Sequence, residues 1–402
     1  MIWKNEKRRL DDLKPATYNP RRISKKQKVD LEASLDRFDL VDPIIINADG
    51  TIIGGHQRYA ILKAKGCEEV DCRVPEFPLS IEQEKELNLR LNKNQGEFDL
   101  GLLTAFDPEM LVGAGFEGSM VDELFQIESK EDDYDVNKAV ESIKEPKTFR
   151  GDVYVFPGGH RLMCGSSTEY GDIEKLMEGQ KADLVYTDPP YNVAYKGKAG
   201  IKNDDQSDEE FAEFLGAAFV NAYAFTNDHA NFYCWFAMSN YSHFRAAIEK
   251  AGWRYMQVIN WMKDRFALSR GWYYHRLTEP CMIAYKDWNK KYTNNQYAKN
   301  HDVWQMDKLT FEENLDVWYQ QRDQSKDYMH PTQKPIRLGE RALKKNSEVG
   351  HIVLDMFCGG GSTLLCAHQL KRVCYAMELD ERYCDVIVDR FQKMTGLEVK
   401  RL

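Results

Sequence analysis

From about residue 150 onward, short apolar runs alternate with longer stretches in which apolar and polar positions recur at helical spacing. The runs at 184–187, 232–236, 258–262, 282–285, 352–356 and 373–377 have strand length, and most are rich in Val, Ile, Tyr and Phe. Strands alternating with helices predict an α/β, Rossmann-like sheet with helices on both faces. In such folds ligands and chemistry sit where loops leave the C-terminal ends of strands.

The N-terminal part reads differently. Val29, Leu31, Leu35 and Phe38 recur at roughly helical spacing after Ser24, a suitable N-cap. A buried strand at 43–47, a turn at Ala48, Asp49 and Gly50, and a second strand at 51–53 follow. Gly54, Gly55, His56, Gln57 and Arg58 then open a helix over 59–65 that Gly66 stops. This predicts a small α+β domain. A glycine pair between strand and helix brings backbone N–H groups toward an anion, with Arg58 adding charge, although the same residues also make a plain strand-to-helix turn.

Between the two parts, residues 126–147 are polar and acidic at their start, with Pro146 near their end, and read as a linker. The expected division is a domain over 1–125, the linker, and a domain over 148–402. Composition adds a constraint: 55 Lys and Arg against 64 Asp and Glu give a net charge of −9, which speaks against indiscriminate nucleic-acid binding. The distribution modifies that reading, since the first 30 residues hold ten basic residues against four acidic ones. There is no apolar stretch of membrane-spanning length and no signal-peptide core, so a cytoplasmic protein is expected. Nine cysteines without a CxxC pair predict buried thiols rather than disulfides or a metal site.

Two motifs lie at predicted strand ends. In the first, Thr187 leads into Asp188, Pro189, Pro190, Tyr191 and Asn192. The two prolines hold the loop extended and lack N–H groups, so their carbonyls are available as acceptors beside the Asp188 carboxylate. Two acceptors and the flat face of Tyr191 suit a planar ring bearing an amino group. In the second, Asp355, Met356, Phe357 and Cys358 precede Gly359, Gly360 and Gly361 and a helix start, and Glu378 ends the next strand 19 residues beyond Gly359. That is where a carboxylate would accept from ribose hydroxyls. A nicotinamide dinucleotide is the obvious rival ligand, but GxGxxG spacing is not matched.

Taken together, Asp188-Pro-Pro-Tyr191 and Phe357-Cys-Gly-Gly-Gly361, with His330 to Pro335 and the pair Asn260–Lys263 and Glu279–Pro280, resemble the β-class S-adenosylmethionine-dependent DNA amino-methyltransferases. The likeness spans about 150–395 and implies a class I methyltransferase sheet. It implies catalytic roles for Asp188, Pro189, Pro190 and Tyr191. It places Phe357 at the corner of the glycine loop, Asp355, Gly359 and Gly361 at the methionine end of the cofactor, Thr332 and Lys334 near its carboxylate, and Glu378 on its ribose. The family often has Gly-Asp-Ser after the position of Cys164; here Gly165, Ser166 and Ser167 stand there, and Ser166 is the counterpart. Residues 8–105 resemble the ParB N-terminal domain, which implies a nucleotide between the turn at 54–58 and the stretch 88–95. His56 and Gln57 depart from that family's pattern.

The resemblance implies double-stranded DNA as partner, an adenine or cytosine amino group as target, and a base flipped out of the duplex. Asp at position 188 is associated with adenine and Ser with cytosine. The alternatives are N4-cytosine methylation, or a ParB-like DNA-binding nucleotide switch with a vestigial transferase; a homodimer is compatible with the sequence. Arg254, Lys263, Arg265, Arg270 and Arg276, interleaved with Tyr255, Trp261, Phe266, Trp272, Tyr273 and Tyr274, suit a DNA surface, although Tyr255 and Trp261 also fit a strand core. Target recognition is expected at about 265–327, with Trp288, Trp304 and Trp318. The acidic stretch 202–210 is expected to form a lid.

Overall fold

The computed structural model describes residues 2–22, 25–92, 97–98, 100–194, 202–267, 274–287, 315–319 and 334–402. The chain divides into two compact units, Met1–Gln126 and Ile127–Leu402.

In the first unit, strands β1 (Trp3–Arg9), β2 (Lys14–Pro15), β3 (Ile44–Ile46), β4 (Thr51–Gly54) and β5 (Glu69–Pro75) form a sheet of order β1-β5-β3-β4-β2. Along β5 exposed and buried positions alternate, so the even positions from Val70 to Val74 face the core with Ile44, Ile46, Ile52, Tyr59 and Leu62. Helix α1 (Lys25–Phe38) forms as its spacing predicts, yet Val29 and Phe38 are exposed. The cap residue expected at Ser24 lies outside the described residues. Gly55 precedes α2 (His56–Ala64) at φ +93°, a left-handed conformation that a Cβ would strain.

The second unit holds a ten-stranded sheet. Its strands are β6 (Val153–Val155), β7 (Arg161–Cys164), β8 (Ala182–Thr187), β9 (Thr226–Trp235), β10 (Arg254–Ala267), β11 (Arg276–Tyr285), β12 (Val317–Tyr319), β13 (Ile352–Asp355), β14 (Val373–Glu378) and β15 (Lys400–Arg401), in the order β12-β10-β11-β9-β8-β13-β14-β7-β6-β15. The pairs from β7 through β14, β13 and β8 to β9 are parallel, and β11 runs antiparallel to both β9 and β10. Every residue of β8 is buried, which requires cover on both faces of the sheet and explains its unbroken apolar run. The expected α/β class is therefore what the chain adopts. Because β13 pairs in parallel with both β8 and β14, the loops bearing both sequence motifs and the end of β14 lie side by side at the C-terminal ends of these strands.

The segment expected to be a linker is not one. Residues 127–147 fold against the second unit: the Arg390 guanidinium, 1% exposed, pairs with Asp132 at 2.6 and 2.7 Å. Glu131 accepts from the backbone N–H groups of Ile336 and Arg337, and Ser129 donates to Glu340. A short helix, Val136–Ser142, packs Val136 and Val140 on Val386. Asp132 and Glu131 are thus partners of Arg390 and of backbone N–H groups, which composition alone does not distinguish from solvated linker residues. The acidic stretch 202–210, expected to form a lid, divides into a helix start and a part tied to the loop after Tyr191. Asp208, Glu209 and Glu210 begin the helix Asp208–Ala224 behind a Ser207–Glu210 capping box, where negative charge complements the helix N-terminus. Asp204 is buried and accepts from Val193, and Gln206 and Asn192 bond reciprocally, so this stretch fastens the loop after Tyr191. Trp318, expected on the recognition surface, is buried near Trp235 and Tyr233. Trp288 and Trp304 lie outside the described residues.

Candidate active site

A cavity of about 620 Å³ opens at the C-terminal ends of β8, β13 and β14. It is lined by Ser166, Asp188, Pro189, Pro190, Tyr191, Lys334, Asp355, Phe357, Gly359 and Glu378, so ten of the residues singled out in the sequence meet in one place. Gly361 stands just behind the wall, at φ +83° as the N-cap of the helix Ser362–Gln369; a Cβ there would lie 3.2 Å from Ile387. Thr332 is outside the described residues.

The glycine turn is held from three sides. The Gly359 N–H donates to the Glu378 carboxylate at 2.8 Å, whose other oxygen accepts from Asp380 N at 2.9 Å. Burial pushes the Glu378 carboxyl up to about 7. Asp355, 2% exposed, accepts from Thr187 Oγ1 at 3.0 Å and from Phe357 N at 3.1 Å, which ties β13 to β8; burial raises it to about 6. From behind, Arg390 donates to the Gly360 carbonyl, and Val136 lies 3.0 Å from where a Gly360 Cβ would be. In front, nothing lies within 4 Å of the Cβ position of Gly359, so a ligand has free approach to that backbone.

At the other side of the cavity stands a charged cluster. The Tyr191 hydroxyl lies 2.6 Å from Asp188 Oδ1 and 2.8 Å from Glu279 Oε1. Lys334 reaches Asp188, Glu279 (2.9 Å) and the Tyr191 hydroxyl (3.0 Å), and Lys263 pairs with the other Glu279 oxygen. Burial raises the Asp188 carboxyl, although Lys334 works against that rise. Burial also opposes ionisation of Glu279, yet Lys334 and Lys263 together hold it well below the usual carboxylate range. The two carboxylates outweigh burial at Lys334 and keep it an ammonium.

Lys334, which the resemblance implied near the cofactor carboxylate, lines the cavity with its ammonium beside Asp188. Ser166 lines the cavity with its N–H on Asp172 and its hydroxyl 2.8 Å from that of Thr168. Lys263, expected on a DNA surface, is inside the site, and Trp261 beside it is buried, the core alternative for that aromatic. The sequence marks Glu279 only as part of a motif. Its meeting with Lys263 depends on the register of β10 against β11, in which Trp261 faces Glu279, and that pairing is not written locally in the sequence.

Residues 182–389 match the family model described as DNA methylase, and residues 6–95 match that of the ParB N-terminal domain. The chain belongs to the DNA methylase family and carries a ParB N-terminal domain ahead of it. The Type II methyltransferase M.HpaI of Haemophilus parainfluenzae is 26% identical over 57% of this chain and 73% of its own length. The Type II methyltransferase M2.DpnII of Streptococcus pneumoniae is 26% identical over 54% of this chain and 84% of its own. Among solved structures, a putative DNA modification methylase from Thermus thermophilus in complex with S-adenosyl-L-methionine is 22% identical over 58% of this chain and 93% of its own, with a TM-score of 0.42.

Proposed function

We propose that this protein methylates the exocyclic amine of adenine in double-stranded DNA, forming N6-methyladenine with S-adenosylmethionine as donor. The observation that supports this most is the convergence of Asp188, Pro189 and Tyr191 with the glycine turn and Glu378 on one cavity. Its volume lies in the range of small-molecule sites. The open face of Gly359 and the Glu378 carboxylate fit a nucleoside-bearing cofactor, with Glu378 accepting from ribose hydroxyls and Asp355, Phe357 and Ser166 as further walls. When bound, the cofactor supplies an electrophilic methyl on a sulfonium.

The protein's part is orientation and charge. An aromatic amine is a poor nucleophile because its lone pair is delocalised into the ring. Asp188 and the Pro189 carbonyl, each accepting one N–H, favour a pyramidal nitrogen with the lone pair directed at the methyl. Tyr191, fixed through its hydroxyl, offers its ring to the flipped base. Transfer leaves a cationic nitrogen that still bears both protons; this cation is strongly acidic and gives one proton along the bond to Asp188, which its raised pKa makes the better acceptor. Asp at position 188 is the reason for preferring adenine.

Nucleoside mass spectrometry of plasmid DNA incubated with the protein and S-adenosylmethionine tests this reading. N6-methyladenine is the expected product. N4-methylcytosine would move the assignment to the other base, and unmodified DNA would overturn it.

A further inference from the structure

Glu279 touches nothing that the methyl transfer described above uses directly except Tyr191, yet it is buried among charges. Its side chain is 13% exposed, and those of Lys263 and Lys334 are 9% and 11%. Ion pairs buried to this degree are costly to build and are not explained by stability alone. Asp188, Glu279 and Lys334 contact the Tyr191 hydroxyl and Lys263 pairs with Glu279, so with Asp188 ionised the two ammonium groups are balanced only while Glu279 is ionised too.

We propose that Glu279 is a positioning residue for methyl transfer: it shares Lys334 with Asp188 and balances Lys263, so that Asp188 stays available to the target amine. The proposal rests on the methyltransferase reading and concerns what prepares its acceptor. Lys334 bridges Asp188 Oδ2 and Glu279 Oε1, so an incoming amine competes with an ammonium that already has a second anion to lean on. With Glu279 neutral, Lys334 has Asp188 alone, and the cluster carries one uncompensated positive charge beside a nitrogen that becomes positive during transfer. Both effects raise the barrier without touching the cofactor side of the cavity.

The test compares wild type, Glu279→Gln, and the double variant Glu279→Gln with Lys263→Gln, in the full chain. Glu279→Gln is expected to lower kcat about 10- to 100-fold while the Kd for S-adenosylmethionine changes by less than about twofold. Removing the Lys263 charge as well restores neutrality, and the double variant is expected to recover at least about tenfold of that loss. A purely structural Glu279 would lower the melting temperature of Glu279→Gln along with kcat, so a double variant that regains wild-type melting temperature without regaining kcat overturns the proposal. So does a Glu279→Gln enzyme within about threefold of wild type, or one that no longer binds cofactor alongside a double variant that also fails. If wild type itself leaves DNA unmodified, the methyltransferase reading fails; an active wild type with an equally active Glu279→Gln removes only the role of Glu279.

Discussion

Two turns in this chain have the same local design: a short strand, glycines, a left-handed glycine as N-cap, then a helix of eight or nine residues. They are Gly54–Gly55 before His56–Ala64 and Gly359–Gly361 before Ser362–Gln369. What stands in front of each differs. At the first, Arg58 folds back so that its guanidinium nitrogens lie 3.2 and 3.3 Å from the Cβ position of Gly55, and it pairs with Asp42. His56, driven down to about 4 by burial, accepts from the Ala16 N–H. At the second, Gly359 faces open space and Glu378 fixes the turn from the next strand. The glycines of the two turns are alike and their surroundings are not: only the second has a clear front and a back braced by Glu378 and Arg390, the arrangement that the proposed cofactor site needs.

The strongest way to break the comparison is at Glu378. Replacing it with Gln removes a charged acceptor and is expected to weaken S-adenosylmethionine binding about 10- to 100-fold by calorimetric titration. The wild-type pH dependence follows from the same group. Its carboxyl, ordinarily at 4.5, is raised to about 7, so the ligand-free folded protein holds this proton to higher pH than the unfolded chain does. Its own contribution therefore makes the free protein less stable as pH rises from about 4.5 to 7. If the cofactor requires the ionised acceptor, affinity rises by up to about tenfold per pH unit below 7 and levels above it; Glu378→Gln is expected to flatten that profile. A slope that persists in the variant would assign the titration to another group.

At the first turn, Arg58→Ala is expected to do little. The partner Asp42 is 74% exposed, so thermal denaturation should register a loss of about 1 kcal/mol or less. Methylation rate and cofactor affinity are expected to stay within about twofold of wild type. A large loss of either would mean that the two turns are not as unlike in function as they are in surroundings.

Much of the second unit is legible in the sequence because its information is local. The strands are continuous apolar runs, and Asp188–Tyr191 and Phe357–Gly361 place chemistry at strand ends that the fold class brings together. What escapes is long-range. Lys263 and Glu279 meet through hairpin register, and Lys334 joins them from beyond residue 320. Asp132, Glu131 and Ser129 resemble solvated linker residues because their partners Arg390, Ile336, Arg337 and Glu340 lie more than 200 positions away. The acidic residues at 208–210 carry a local signal that their charge obscures: Ser207 stands three residues before Glu210, a capping box. In the first unit the spacing of Val29 and Phe38 predicts the helix correctly but not its buried face.

The central claim is that the Asp188 loop and the glycine turn form a single methyl-transfer site. It is tested most directly by Asp188→Ala, assayed for methyl incorporation into DNA and for S-adenosylmethionine binding on the same preparation. The expected result is a loss of transfer of about 1000-fold or more with cofactor affinity preserved within a few fold. An Asp188→Ala protein that still methylates DNA at a rate near that of wild type would contradict the account.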